Sequence, residues 1–332
     1  MFASAARVMV RDSRHAASGT QIIAPYRYVA GSTDGRVQQW HAMPLKLMPV
    51  TFVLLWSTGF IAAKFGLPYA GPMTFLLWRC GLVVACMTLL ALMFRAPWPG
   101  LGKAKHIAVA GVLLQAGYLG GVFASIALGM PAGLSALIVS MQPVLTAVMG
   151  PLIGERVSAR QWGGFALGTL GVLVVVWDKL HLEGVGPLTL SLNLLALFSM
   201  TAGTIYQKKF CGANDLRTQS VIQFAAAFAV LLPFAVMFET PAVNWTGEFV
   251  FSLGWSVLVM SLGSISLLLL MIRRGAVTQV ASLFYLVPAV TAVMAYLMFG
   301  ERLGATALIG FVIAVAGVAL VVVQPKAVNE AG

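Results

Sequence analysis

The chain has 332 residues, of which 60% are hydrophobic and only 9% charged, and its formal net charge is +11. A water-soluble domain carries about a quarter charged residues, so a chain this poor in charge has lipid rather than water as its main solvent. The positive balance does not describe a nucleic-acid binder, because the Lys and Arg fall in short clusters between apolar runs, as membrane-loop charges do. Cys80, Cys86 and Cys211 have neither metal-ligand spacing nor the even count of a disulfide framework.

Residues 1–43 are polar, rich in Ser, Ala and Arg, and lack both an apolar run of membrane length and a signal-peptide core. Three readings fit them: an organellar transit-like arm, a disordered tail, or upstream sequence ahead of a true start at Met43. The last is preferred, because "MPLKLMPV" directly precedes the first apolar run. A crossing helix needs about 20 mostly apolar residues, and ten segments qualify: 47–67, 72–94, 106–127, 133–153, 160–177, 186–207, 219–238, 249–272, 277–299 and 304–323. The breaks fall at Pro, Gly or charge, as in "RAPWPGLGK", "GERVSAR" and "DKLHLEG". The expected fold class is all-α integral membrane, with ten transmembrane helices. Leaving aside residues 1–43, the side of the N-terminus carries twelve Lys and Arg; the other side has Lys64, Lys179 and Arg302. That asymmetry puts both termini in the cytoplasm.

The sequence also repeats. "PVLTAVMGPLIGER" from Pro143 returns as "PAVTAVMAYLMFGER" from Pro288, and "GGFALGTLGVLVVV" from Gly163 as "IGFVIAVAGVALVV" from Ile309. Each half, 44–180 and 181–326, then holds five helices, with a short tail at 327–332. Five is odd, so the second half enters the bilayer in the opposite sense: an inverted repeat around a central cavity, with the substrate site near midplane. Pro143 and Pro288 interrupt the fourth and ninth spans and each frees a carbonyl one turn earlier, which must face protein or a wet cavity. Gly117 with Gly121, and Gly164 with Gly168, stand four apart and suit close helix approach.

Both halves resemble the EamA domain of the drug/metabolite transporter superfamily. The likeness rests on "LLWSTGFIAAKFGL", "TFLLWRCGLVVA" and "QPVLTAVMGPLIGERVSARQWGGFALGTLGVLVV", and covers about 45–324. It implies a ten-helix carrier that moves a small metabolite, often outward.

Ionisable groups within spans are functional candidates. Lys64 and Arg79 qualify, and together could form a positive rim for a carboxylate or phosphate; Lys64 could equally snorkel to the interface. Neutral candidates for substrate binding are Trp56, Ser57, Gln115, Tyr118, Gln142, Ser199, Gln223, Ser264 and Tyr285; each could instead make an interhelical bond. No Asp or Glu lies within a span, so Glu155 and Glu301 at span ends are the carboxylates left for ion coupling, and a facilitator or exchanger is favoured. No metal or cofactor is expected. The expected partners are a small-molecule substrate and the bilayer, with a homodimer left open. The spans carry no nucleophile–base set, carboxylate pair or phosphate loop, which argues against an enzyme. The expectation is a secondary transporter in the bacterial inner membrane exporting a small polar metabolite, amino-acid-like. The alternatives are a drug or toxic-compound exporter, an organic-anion exchanger, and a structural membrane protein.

Overall fold

In the computed structural model the residues described are 48–149, 158–179, 185–211, 214–240, 242–264, 267, 286–301 and 304–322; all fall within one unit, 43–332. Among them every regular element is helical. α1 (Met48–Gly66) leads through a short 3₁₀ turn (Leu67–Tyr69) to α2 (Pro72–Met93). α3 (Leu101–Ala127) is α-helical to Gly111, π-helical over Val112–Tyr118, and α-helical again from Leu119. α4 (Ala132–Val139) and α5 (Gln142–Val148) follow, then α6 (Ala159–Lys179). In the second half come α7 (Pro187–Cys211), α8 (Leu216–Phe238), α9 (Gly247–Ser264, π-helical from Trp255), α10 (Leu286–Phe299) and α11 (Ala305–Val322).

Six of the stretches are long and apolar enough to cross a bilayer: Val50–Tyr69, Pro72–Met93, Leu101–Ala127, Pro187–Cys211, Leu216–Phe238 and Gly247–Ser264. Shorter apolar helices occupy the described parts of the fourth, fifth, ninth and tenth predicted segments. The outer surface is greasy: Leu89, Leu92, Met93, Trp177, Phe238 and Leu297 are all exposed. Contiguous apolar exposure on this scale is foreign to a soluble monomer and is what lipid-facing helices require.

The fourth segment does not run as one helix. α4 ends at Val139, a tight turn passes through Ser140 and Met141, and α5 restarts at Gln142. Pro143 accounts for the break, since it has no N–H to offer the carbonyl one turn before it; the ladder restarts with the Leu145 N–H bonded to the Met141 oxygen at 2.9 Å. Pro288 is buried in the first turn of α10, and the residues before Leu286 lie outside those described.

The two helix pairs with the most extensive contact between the halves both run antiparallel. The first pair is α2 and α8. The Glu239 carboxylate, just past the end of α8, accepts from the Met73 and Thr74 N–H groups at 2.7 and 2.8 Å and so caps the start of α2. At the opposite end Thr218 Oγ1 donates to the Pro97 carbonyl at 3.0 Å. The second pair, α6 and α11, meets backbone to backbone. A Cβ on Gly310 would lie 2.8 Å from the Gly171 oxygen, and one on Gly317 would lie 2.6 Å from the Gly168 Cα. Only glycine allows that approach, the usual basis of tight helix association in lipid.

Candidate functional site

A cavity of about 360 Å³ lies among α1, α2, α3, α5, α7, α8 and α9, each of which contributes to its wall. Trp56, Gly59 and Phe60 share one face of α1, because residues three and four apart point the same way on a helix. α2 contributes Arg79, seven residues, about 10 Å, beyond its first residue. Phe123 and Phe224 add two further rings.

The π-helical stretches shape the middle of this site. A π turn spends an extra residue per hydrogen-bonded loop and is rare, occurring mostly at functional positions. In α3 it carries Leu114, Gln115 and Tyr118 onto the wall; in α9 it brings Met260 there and turns Ser261 to Arg79. The hydroxyls of Ser261 and Ser264 follow the wider turn, bonding the carbonyls five residues back, Ser256 at 3.0 Å and Val259 at 3.2 Å. The spacing between Pro143 and Pro288 carries Val112–Tyr118 onto Val257–Gly263, inside the π-helical part of α9, and pairs Gln115 with Met260.

Arg79 is the site's one charged side chain among the described residues lining it. It is 7% exposed; Nη2 donates to Ser261 Oγ at 3.2 Å, and Nε has no acceptor among the described residues. Arginine keeps its charge under all ordinary conditions. Among the described residues, therefore, the cation's hydrogen-bond partner is a neutral hydroxyl.

Of the residues singled out from sequence, Trp56, Arg79, Gln115, Tyr118 and Gln142 lie together on the wall, with Gln142 Nε2 also bonded to Thr146 Oγ1 at 3.0 Å. The others lie elsewhere. Ser57 is fully buried, with its hydroxyl 2.8 Å from the Val53 oxygen and 3.3 Å from that of Val287. Ser199 packs against Gly117, where a Cβ would come within 2.7 Å of its hydroxyl. Gln223 donates to Gln207 Oε1 at 2.8 Å, and Ser264 is turned to its own backbone. Lys64 does not form a rim with Arg79: it is ion-paired with Glu301 and lies over the Phe299 ring. That carboxylate also accepts from the N–H groups of Ala132 and Gly133, at 3.1 and 3.4 Å, so it caps α4 and joins the ends of α1, α4 and α10. Glu155 and Tyr285 lie outside the described residues. Among the described residues no cluster of His, Cys, Asp or Glu could hold a metal ion.

Sequence reasoning missed Met200, Thr204, Phe224 and Met260 on the wall, none of which carries a chemical signal in an apolar helix. It also passed over Asn193, fully buried, which donates to Ser125 Oγ at 2.6 Å and accepts from Ser135 Oγ at 2.7 Å, tying α3, α4 and α7. A lone amide inside "SLNLLAL" was the available signal, since interhelical amides hold membrane bundles together. A larger crevice between α10 and α11 opens outward among exposed Val293, Tyr296 and Val312, and its single charged lining residue, Glu301, is already paired. It has the character of a lipid-facing furrow rather than a polar solute site.

The EamA-like transporter family matches the chain twice, over residues 46–177 and 188–323. The chain belongs to that family. Its EamA-like relatives include a probable amino-acid metabolite efflux pump of Escherichia coli K12, 27% identical over 284 residues, which cover 82% of this chain and 92% of that protein. Another is an uncharacterized transporter of Bacillus subtilis, 29% identical over 297 residues, or 86% and 93% of the two chains. One solved crystal structure shares the fold, with a TM-score of 0.56 at 17% identity, covering 82% of this chain and 94% of that one. This EamA-like chain is a multi-pass membrane protein, and the family and its relatives mark it as a transporter rather than an enzyme.

Proposed function

We propose that the protein is a secondary transporter that exports a small polar, amino-acid-derived metabolite across the bacterial inner membrane by alternating access, with both termini cytoplasmic. The observation that carries this reading is the cavity itself. It is apolar over most of its wall, and it is furnished with a few polar groups from α2, α3 and α5, the make-up of a small-molecule site. Its wall includes matched positions in the two halves, Gln115 in one and Met260 in the other, each within a π-helical stretch. The antiparallel pairing of α2 with α8 and of α6 with α11 supports ten crossings arranged as two inverted repeats, 44–180 and 181–326, with the site at their seam. The E. coli relative's name, an amino-acid metabolite efflux pump, supports the substrate class and the outward direction. No Asp or Glu lies within the predicted spans, and Glu301 is paired; both favour facilitated diffusion or exchange over proton coupling.

The test is a comparison of excreted metabolites from cells with and without the protein, repeated with Gln115→Leu. The proposal expects a defined set of amino-acid-derived solutes to accumulate outside only with the unaltered protein. Identical media from all three strains, with the protein present in the membrane, would contradict it.

A further inference from the structure

Charge counting in the cavity narrows the substrate. We infer that the transported solute is a monocarboxylate with an apolar, preferably aromatic, body and no free ammonium group; this rests on the transport reading above. Burying a cation without a countercharge is costly, and one neutral hydroxyl offsets little of that. Arg79 is more than nine-tenths buried, borders the cavity, and has an Nε–H with no acceptor among the described residues. A carboxylate on the guanidinium completes the pair in the geometry arginine binds best.

The number of charges follows from Lys64. Had it stood on the rim beside Arg79, the site would match a dianion such as a phosphate ester. Instead its charge is consumed by Glu301, at the ends of α1, α4 and α10. Among the described lining residues one cation remains for the ligand, so one negative charge is matched. Nor is there a carboxylate among the described lining residues to receive an ammonium. A zwitterionic amino acid would bring its own cation into a site already positive, and the repulsion would discount the gain at its carboxylate. The rings of Trp56, Phe60, Tyr118, Phe123 and Phe224 supply flat apolar walls for the body. Gln115, and the amide hydrogen of Gln142 not given to Thr146, can bond a keto or hydroxyl oxygen. A volume of about 360 Å³ sits near the low end of the range for small-molecule sites, about 300–1,000 Å³.

The experiment measures binding to the purified full-length protein with four probes that share a phenyl body: phenylpyruvate, phenylalanine, phenylalaninamide and phenyl phosphate. Phenylpyruvate should bind at least about tenfold more tightly than each of the other three. Arg79→Gln should abolish that preference, and Arg79→Lys, which keeps the charge, should retain part of it; melting curves establish that each variant is folded. The inference is overturned if phenylalanine or phenyl phosphate binds as well as phenylpyruvate. It is equally overturned if the preference survives in Arg79→Gln, or if folded wild type binds none of the probes. Flux of radiolabelled phenylalanine and phenylpyruvate in proteoliposomes separates the two levels of the argument. Movement of phenylalanine with no preference for the acid sinks the charge rule and leaves transport standing. Absence of any flux, with unchanged media in the excretion assay, sinks transport itself.

Discussion

Replacing Gly317 with Ala adds a single methyl group at the α6–α11 seam, and the structure sets its cost. The new Cβ would stand 2.6 Å from the Gly168 Cα and 2.8 Å from the Gly164 oxygen, where carbon atoms pack comfortably at about 3.5–4.0 Å. Both obstacles are backbone, so no side chain can swing aside and the helices must separate by roughly 1 Å. Overpacking of this kind costs about 1–3 kcal/mol. Gly163→Ala is the matched control. Its Cβ would meet only Leu320 Cδ2, at 3.9 Å, which is ordinary contact, and Ala is the better helix former by about 0.5–1 kcal/mol. Thermal unfolding of the two variants in the same detergent is the assay. Gly317→Ala should melt several degrees below wild type, and Gly163→Ala at or slightly above it. Equal melting temperatures would refute the antiparallel register of α6 and α11, and with it the strongest support for two opposed halves.

Two further predictions concern the helix ends. Glu301→Gln keeps an oxygen for one of the two N–H groups of Ala132 and Gly133, which the carboxylate serves with separate oxygens, and releases Lys64. Because the pair is partly exposed, 31% and 16%, the loss of the ion pair should be well under about 1 kcal/mol. Glu301→Ala also uncaps α4 and should cost about 1 kcal/mol more; equal losses in denaturant unfolding would contradict the capping role. Asp215 caps α8 by accepting from the Arg217 N–H at 3.0 Å, and its side-chain bond to the Arg217 guanidinium holds the carboxyl below its ordinary value. A depressed carboxyl stabilises at neutral pH and stops doing so as pH falls below about 4. Asp215→Asn should therefore lower stability at pH 7 and approach wild type near pH 3; a constant gap between the two would count against the pair.

Much of the fold could be read from the chain because lipid imposes simple rules. Apolar runs of fixed length mark the helices, and two copies of one phrase mark the halves. Rotation about each helix axis could not be read. α1 is apolar all round, so its period carries no sign of which face turns inward. Trp56 and Ser57 differ by 100° on that helix; one lines the cavity and the other is buried against Val53 and Val287. Lys64 was legible as a costly charge near a helix end, but its partner comes from Glu301, 237 residues away. The π turns left no trace in composition, since Val112–Tyr118 and Trp255–Ser264 contain the same residue types as the α-helix around them. Arg79 was the exception. An arginine in an apolar run is costly, and that cost singled it out, alongside Trp56, Gln115, Tyr118 and Gln142, among the residues that share the cavity wall.

The claim on which the rest depends is that the cavity opens to each side of the membrane in turn. A variant with Cys80, Cys86 and Cys211 changed to Ala and Gln115 changed to Cys puts a lone thiol on its wall. A membrane-impermeant thiol reagent is then applied from one face at a time, with Trp98→Cys, an exposed site, as the single-sided control. The account predicts that Cys at 115 reacts from both faces while the control reacts from one. Labelling from a single face under every condition, or from neither, would contradict it.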